Sequence, residues 1–280
     1  MCQFCIQHGD GQRWYLNAEN YVADLESDLA RREYLIGFVQ GFKKMHGRAQ
    51  LGTSIMGVLP GPVSSAVKRR INRGQQEHHF GQPVPIEECE QVFEMATSIV
   101  QLPCVCRNAA GMPEEGYCLA VTALPMDATL KEAFSGFADG PDTTGLERLT
   151  KDQAMDVLRR CESEGLMHSV WTFITPFIGA ICNCDLGSGC MAMDMTLGHD
   201  IKVMWRGEYV IDLSAEECTG CGACVKRCPF RAIDKGAGKR EPVSIRLRDC
   251  YGCGVCRAAC PSNALRLVER HSVPEVALQW

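Results

Sequence analysis

The sequence predicts an α+β chain in three parts: a basic, mainly helical N-terminal region over residues 1–84, a cysteine-rich middle domain over 85–213 containing a β-hairpin, and a small C-terminal domain over 214–280. Three observations carry this reading. Apolar residues recur at helical spacing in the first part. An uncharged run rich in Val, Trp, Phe and Ile lies between Leu166 and Cys182 in the second. One four-cysteine pattern occurs twice in the third, at 218–229 and 250–261.

In the first part, Val22, Leu25, Leu29, Ile36 and Val39 form a helical stripe between Asn20 and Lys44. Acids (Asp24, Glu26, Asp28) come early and bases (Lys43, Lys44) late, as the helix dipole favours. A second helix is expected to start at Pro62 and to stop at Gly74. In the middle part, Pro85 opens a helix whose apolar face is Ile86, Cys89, Val92, Phe93, Ala96 and Ile99, which makes Cys89 a small core residue. Loops follow at AAGMPEEGYC and ADGPDTTG. Thr150-Lys151-Asp152-Gln153 has capping-box form and begins a helix ending at Gly165, with Cys161 on its core side. GLMHSVWTF and FIGAICN, separated by Thr175-Pro176, read as the two buried strands of a hairpin.

At 280 residues the chain can build real cores without staples. Its 18 cysteines are spaced as CxxC and CxC, which points to metal ligation rather than disulfides. The first residues, MCQFCIQHGDGQRWY, lack the apolar core of a secretory signal, so a reducing cytoplasm is expected. The longest uncharged run, Ala49 to Val67, is broken by Pro60-Gly61-Pro62 and cannot span a bilayer as one helix. Formal net charge is −5, yet between Arg31 and Arg73 nine Lys or Arg stand against one acid, Glu33. That block can steer the chain to an acidic protein partner or to anionic lipid, hence to a peripheral position at the inner face of a membrane. An ordinary solvated helical face has the same composition. Nucleic-acid binding is disfavoured by the acidic total and by the absence of an aromatic platform among the bases. There is no dinucleotide fingerprint, no phosphate loop and no nucleophile elbow.

The strongest motif is the repeat Cys218, Cys221, Cys224, Cys228-Pro229 and Cys250, Cys253, Cys256, Cys260-Pro261. Its CxxCxxCxxxCP spacing is that of a bacterial two-cluster 4Fe-4S ferredoxin, in which the fourth cysteine of each run binds the other cluster. Cys218, Cys221, Cys224 and Cys260 are thus assigned to cluster one, and Cys250, Cys253, Cys256 and Cys228 to cluster two. Zinc sites use cysteine pairs rather than this triple spacing. Two such clusters side by side carry electrons one at a time.

Six cysteines upstream are not needed for this: Cys104, Cys106, Cys118, Cys182, Cys184 and Cys190, with His168 between them in sequence as a candidate ligand or, alternatively, a satisfied core histidine. On an extended strand both thiols of a CxC pair project from one face. Cys104/Cys106 facing Cys182/Cys184 would bring four thiolates together, with Cys118 and Cys190 as spare ligands or a lid. An additional iron-sulfur cluster, a structural zinc, and a redox-active dithiol all suit these soft donors. Cys2, Cys5 and His8 form another ligand-like run, with incidental terminal residues as the alternative. His78 and His79 read as packed or exposed, and Arg107 either neutralises a cluster or pairs with an acid.

From Leu102 to Pro261 the chain resembles a family of iron-sulfur proteins, mostly without assigned reactions, that run PCxCR, then Cys, then a helix with an EAGL-like end and a His, then ICNC, then a two-cluster ferredoxin domain. The matching residues are PCVCR with Cys104 and Cys106, Cys118 in GYCLA, SEGLMH with His168, and AICNC with Cys182 and Cys184. Many members follow ICNC directly with more cysteines, where this chain has Asp185 and then Cys190. The resemblance implies a redox role and a further metal centre.

Together these features predict an electron-transfer subunit, rather than an enzyme alone, that relays electrons to redox partner proteins within a larger anaerobic oxidoreductase complex. A reductase acting on a small molecule or disulfide, and a redox sensor, are the alternatives.

Overall fold

The computed structural model describes residues 8–9, 12–22, 29–112, 116–123, 127–135, 146–238 and 240–279. Its first elements are β1 (His8–Gly9), β2 (Gln12–Arg13), α1 (Glu19–Val22) and the long α2 (Leu29–Val58). Both lie on the expected helix over 20–44, of which residues 23–28 are outside the described residues, and α2 continues well past Lys44. Gly41, Gly47, Gly52 and Gly57 weaken it by about 1 kcal/mol each. None of them blocks a helix, and the first residue that does is Pro60. Pro60 then caps α3 (Gly61–His78), which runs four residues beyond the expected stop at Gly74.

A six-stranded antiparallel sheet follows, in the order β3 (Gly81–Pro83), β7 (Met167–Thr172), β8 (Ile178–Cys184), β5 (Cys118–Thr122), β4 (Ser98–Leu102), β6 (Glu147–Arg148). The expected hairpin is β7–β8, paired from Met167↔Cys184 to Thr172↔Ile178. On one face lie α4 (Ile86–Met95) and α7 (Lys151–Glu164), packed through Cys89, Val92, Phe93, Leu158, Leu119 and Ile181. Burying each large apolar side chain of this set stabilises the fold by about 1.5–3 kcal/mol. The capping box of α7 is complete: Gln153 N donates to Thr150 Oγ1 and Thr150 N to Gln153 Oε1. Cys161 is fully buried on α7, as its spacing requires.

The opposite face is covered by α2, α5 (Val105–Ala110) and α6 (Asp127–Ala133), and it is this face that carries the upstream cysteines. The loops expected around 109–118 and 138–145 lie partly and wholly outside the described residues, respectively.

After a short turn of helix, α8 (Met191–Met193), the chain enters the last domain: β9 (Tyr209–Leu213), α9 (Ala223–Arg227), β10 (Ile233–Asp234), β11 (Ser244–Ile245), α10 (Val255–Ala258) and β12 (Leu265–Glu269). β9 pairs with β12 and β10 with β11, and α9 and α10 meet between the ladders. Two polar clamps fix this domain to the sheet. Buried Glu88 on α4 accepts from Tyr15 and Tyr209 and pairs with Arg13 at 2.6 Å, and Arg257 on α10 pairs with Glu87 at 2.8 Å. Among the described residues no helix is long and apolar enough to cross a membrane.

Candidate metal centres

Strand alternation builds the upstream site. In β8, Cys182 and Cys184 share a face, and Asn183 between them points the other way. The register Leu119↔Ile181 sets Cys118 of β5 opposite Cys182, and their Sγ atoms are 3.8 Å apart. The tight loop after β8 is held by Asp185 and Ser188, with Ser188 N donating to Asp185 Oδ1 at 2.7 Å and Asp185 N to Ser188 Oγ at 3.1 Å. It returns the chain so that Cys190 Sγ lies 3.1 Å from Cys184 Sγ.

The other CxC pair departs from the expected facing-strand arrangement. β4 ends at Leu102, Pro103 withholds a ladder hydrogen bond, and the chain turns into α5 with Cys104 as its N-cap and Cys106 in its first turn. The thiols still meet, because Cys104 hydrogen-bonds with Cys106 and Cys118, and Cys106 with Cys190. All six sulfurs thus form one connected series, Cys182–Cys118–Cys104–Cys106–Cys190–Cys184.

That series lines a cavity of about 100 Å³, with apolar walls from Leu35, Phe38 and Phe42 of α2 and from Trp171 and Phe173. Two thiols are held well below the usual range by hydrogen bonding with their neighbours: Cys104 with Cys106 and Cys118, and Cys190 with Cys106 and Cys184. Their partners Cys106, Cys118 and Cys184 are pushed well up, first by those same bonds and then by burial. Clustered soft sulfur donors in a dry pocket fit an iron-sulfur cluster, whose positive irons offset the thiolate charge, and they equally fit zinc. Among the described residues no group of three or more His, Cys, Asp or Glu side chains is positioned to hold a single metal ion. The eight cysteines of the C-terminal motifs share that property, so it does not separate a cluster from zinc.

His168 is not brought to these thiols. It pairs with Asn183 across β7–β8, on the sheet face away from the cysteines, where its Nδ1 meets Asn183 Oδ1 at 2.6 Å. Burial lowers its pKa to about 4. Arg107 stacks on Tyr117, 4.0 Å from guanidinium carbon to ring centroid. Cys2 and Cys5 lie outside the described residues, as does the side chain of His8.

His79 sits closer to the site than its sequence context indicated. It lines the cavity among Phe38, Trp171 and Phe173, donates from Nδ1 to the Thr172 carbonyl at 2.6 Å, and is lowered to about 4 by burial. The α2 wall was also unassigned, although Phe38 and Phe42 stand at i, i+4, a spacing that marks one helix face.

The C-terminal cysteines gather into two pockets. One is lined by Cys218, Cys221, Cys224 and Cys260, the other by Cys228, Cys250, Cys253 and Cys256. Each fourth cysteine crosses over to the other run, and each receives a backbone N–H at 3.3 Å, Ala264 to Cys260 Sγ and Ala232 to Cys228 Sγ. Gly252 makes the second loop possible: its φ is 74°, and a Cβ there would collide with the Tyr209 carbonyl. The two pockets differ in depth. Cys221 is exposed and Cys218 and Cys260 are half-buried, whereas Cys250, Cys253 and Cys256 are all buried. Phe230 and Tyr251, stacked at 4.3 Å, line the deeper pocket and join the core that holds the upstream thiols.

No curated protein matches the chain. Residues 210–261, which hold all eight of these cysteines, match the family described as 4Fe-4S dicluster domain, and the chain thereby carries an iron-sulfur electron-transfer domain.

Proposed function

We propose that the chain relays electrons through three centres in line: a cluster at Cys218, Cys221, Cys224 and Cys260, a second at Cys250, Cys253, Cys256 and Cys228, and a third iron-sulfur centre on the six upstream cysteines. Each cluster supplies one-electron transfer between two charge states. The chain supplies the order. The observation that carries the reading is that Cys228, Cys253 and Tyr251 pack in the same apolar core as the six thiols, while Cys218 and Cys260 pack in the C-terminal core only. The exposed Cys221 edge is then the outer contact for a redox partner protein, and the upstream cavity is the inner terminus. A relay with two ends suits a subunit of a larger oxidoreductase assembly, one that works without oxygen.

Metal and acid-labile sulfide content after strictly anaerobic purification tests the third centre. Iron and sulfide near twelve each are expected, whereas about eight irons with one zinc would reduce the upstream site to a structural role. Replacing Cys104 and Cys106 together by Ser should remove the additional iron and stop transfer to the inner partner while the dicluster signals remain. Undiminished transfer in that variant would overturn the relay.

A second reading, a reductase acting on a small molecule or a disulfide at the upstream site, is favoured by one observation. Six thiols line the cavity, two more than a single cluster or zinc commonly takes. Turnover by the isolated chain that is lost in Cys190→Ser with full iron retained would select this reading.

A further inference from the structure

α2 and α3 run antiparallel from the body of the protein, since Tyr34 near the start of α2 meets His78 at the end of α3 with ring centroids 6.2 Å apart. Their far ends join at Leu59-Pro60. Among the described residues nine large hydrophobic side chains are exposed, and five lie at this tip: Leu51 (64 %), Ile55 (51 %) and Val58 (83 %) on α2, and Val63 (49 %) and Val67 (39 %) on α3.

These residues do not continue the core stripe. At about 100° per residue, the buried positions Leu35, Val39, Phe42 and Thr53 fall on one side of α2. Lys44, Arg48, Leu51, Ile55 and Val58 fall on the side opposite. In α3 the body-facing side is marked by Lys68, 4.0 Å from Asp200, and by Asn72, which accepts from Lys202 N at 2.9 Å. Val63, Val67 and Arg70 lie on the other side. Both helices therefore turn apolar residues outward at the tip.

Charge follows a matching gradient. From Tyr34 to Gln76 there is no Asp or Glu, and seven bases occur: Lys43, Lys44, Arg48, Lys68, Arg69, Arg70 and Arg73. Among the described residues, Lys68 is the one of the seven with a carboxylate partner. On the outward face of α2, Arg48 stands about 10 Å behind Ile55 and about 15 Å behind Val58 along the axis. An apolar end that would sink about 5–10 Å, with a basic collar behind it, has the layering of the boundary between acyl chains and anionic headgroups. A projecting apolar tip with acid-free basic limbs behind it complements an anionic lipid surface.

We propose that the α2–α3 hairpin is a membrane-docking device, its tip Leu51, Ile55, Val58, Val63 and Val67 inserting among acyl chains and its basic collar reading anionic phospholipid headgroups. This inference does not depend on the redox reading. The test is flotation of the anaerobically purified full chain with vesicles of phosphatidylcholine alone, or of phosphatidylcholine with about one-third phosphatidylglycerol. Binding to the anionic vesicles alone, weakened by salt, is expected. Ile55→Glu with Val58→Glu, both exposed and so compatible with the fold, should abolish it. Lys44→Glu, Arg48→Glu and Arg70→Glu together, all on the outward sides, should weaken it at least about tenfold. Unchanged helical circular dichroism and 4Fe-4S absorption in each variant verify folding. No flotation with anionic vesicles, equal flotation with both vesicle types, or flotation indifferent to the tip substitutions would each overturn the proposal. So would loss of a protein complex, rather than of vesicle binding, in the Ile55/Val58 variant.

Discussion

Asn183 stands between the two cysteines of β8 and points to the opposite sheet face, where its side chain bridges two buried groups. Its Oδ1 accepts from His168 Nδ1 at 2.6 Å, and its Nδ2 donates to the Tyr117 carbonyl at 2.5 Å, the residue before Cys118. Asn183 and His168 are fully buried and Tyr117 is 7 % exposed, so water does not readily replace either bond. Asn183→Ala strands one donor and one acceptor at about 1–3 kcal/mol each. The sum, about 2–6 kcal/mol, is a large share of the 5–15 kcal/mol that holds a typical domain together. Because the same bonds fix β8 against the Cys118 strand, the loss also loosens Cys118, Cys182 and Cys184 relative to one another. The expected outcome is a fall in thermal midpoint on the order of 10 °C, read by circular dichroism under anaerobic conditions. Loss of upstream metal with the dicluster signals retained should accompany it. Asn183→Asp keeps the acceptor and should fall between Ala and the parent chain. Full upstream metal and an unchanged midpoint in Asn183→Ala would refute the claim that this bridge positions the site.

Three further outcomes are expected. His168 and His79 are lowered to about 4 from 6.5 because burial disfavours their charged forms. A depressed folded pKa gives stability that is full above pH 6.5 and lost as pH falls toward 4, about 3 kcal/mol for fully buried His168. Midpoints measured across that window should drop, and His168→Gln should flatten the drop. Gly252→Ala forces a side chain into a left-handed position against the Tyr209 carbonyl, and it should lose the cluster of the deeper pocket while the outer one persists, as a count of spins in the reduced protein would show. In a redox titration the lower of the two dicluster potentials should belong to Cys250, Cys253, Cys256 and Cys228. Burial there penalises the negative charge added on reduction. Cys221→Ser should therefore move the higher potential.

What the sequence revealed follows from how local each feature is. The 4Fe-4S repeat, the capping box at Thr150 and the Met167–Cys184 hairpin are set by residues close in the chain, and spacing alone discloses them. Cys182 and Cys184 were legible as a same-face pair for that reason. Cys104 and Cys106 were not, since Pro103 turns the chain from strand to helix and only the long-range pairing of β4 with β5 shows where the thiols end up. His168 was misleading as a candidate ligand because one position of strand register decides its face, and Asn183 rather than either cysteine is its cross-strand partner. The extent of α2 was hidden by its glycines, which lower helix propensity without ending a helix. Its two opposed faces, one walling the cavity and one exposed at the tip, appear only when the buried positions are known.

On the proposed reading, burial of the upstream thiols would make a bound cation part of how their site works. Six sulfurs lie in a pocket walled by Leu35, Phe38, Phe42, Trp171 and Phe173, and burial raises the cost of every thiolate placed there. Hydrogen bonds within the series relieve that cost at Cys104 and Cys190 by raising it at Cys106, Cys118 and Cys184. Cluster or metal ligation requires thiolates, so loading of the proposed centre would expel protons from a dry pocket while positive iron or zinc took their place. On that reading the residues that make the pocket hostile to free thiolates would favour a group that neutralises several at once, and occupancy of the proposed centre would fall as pH is lowered.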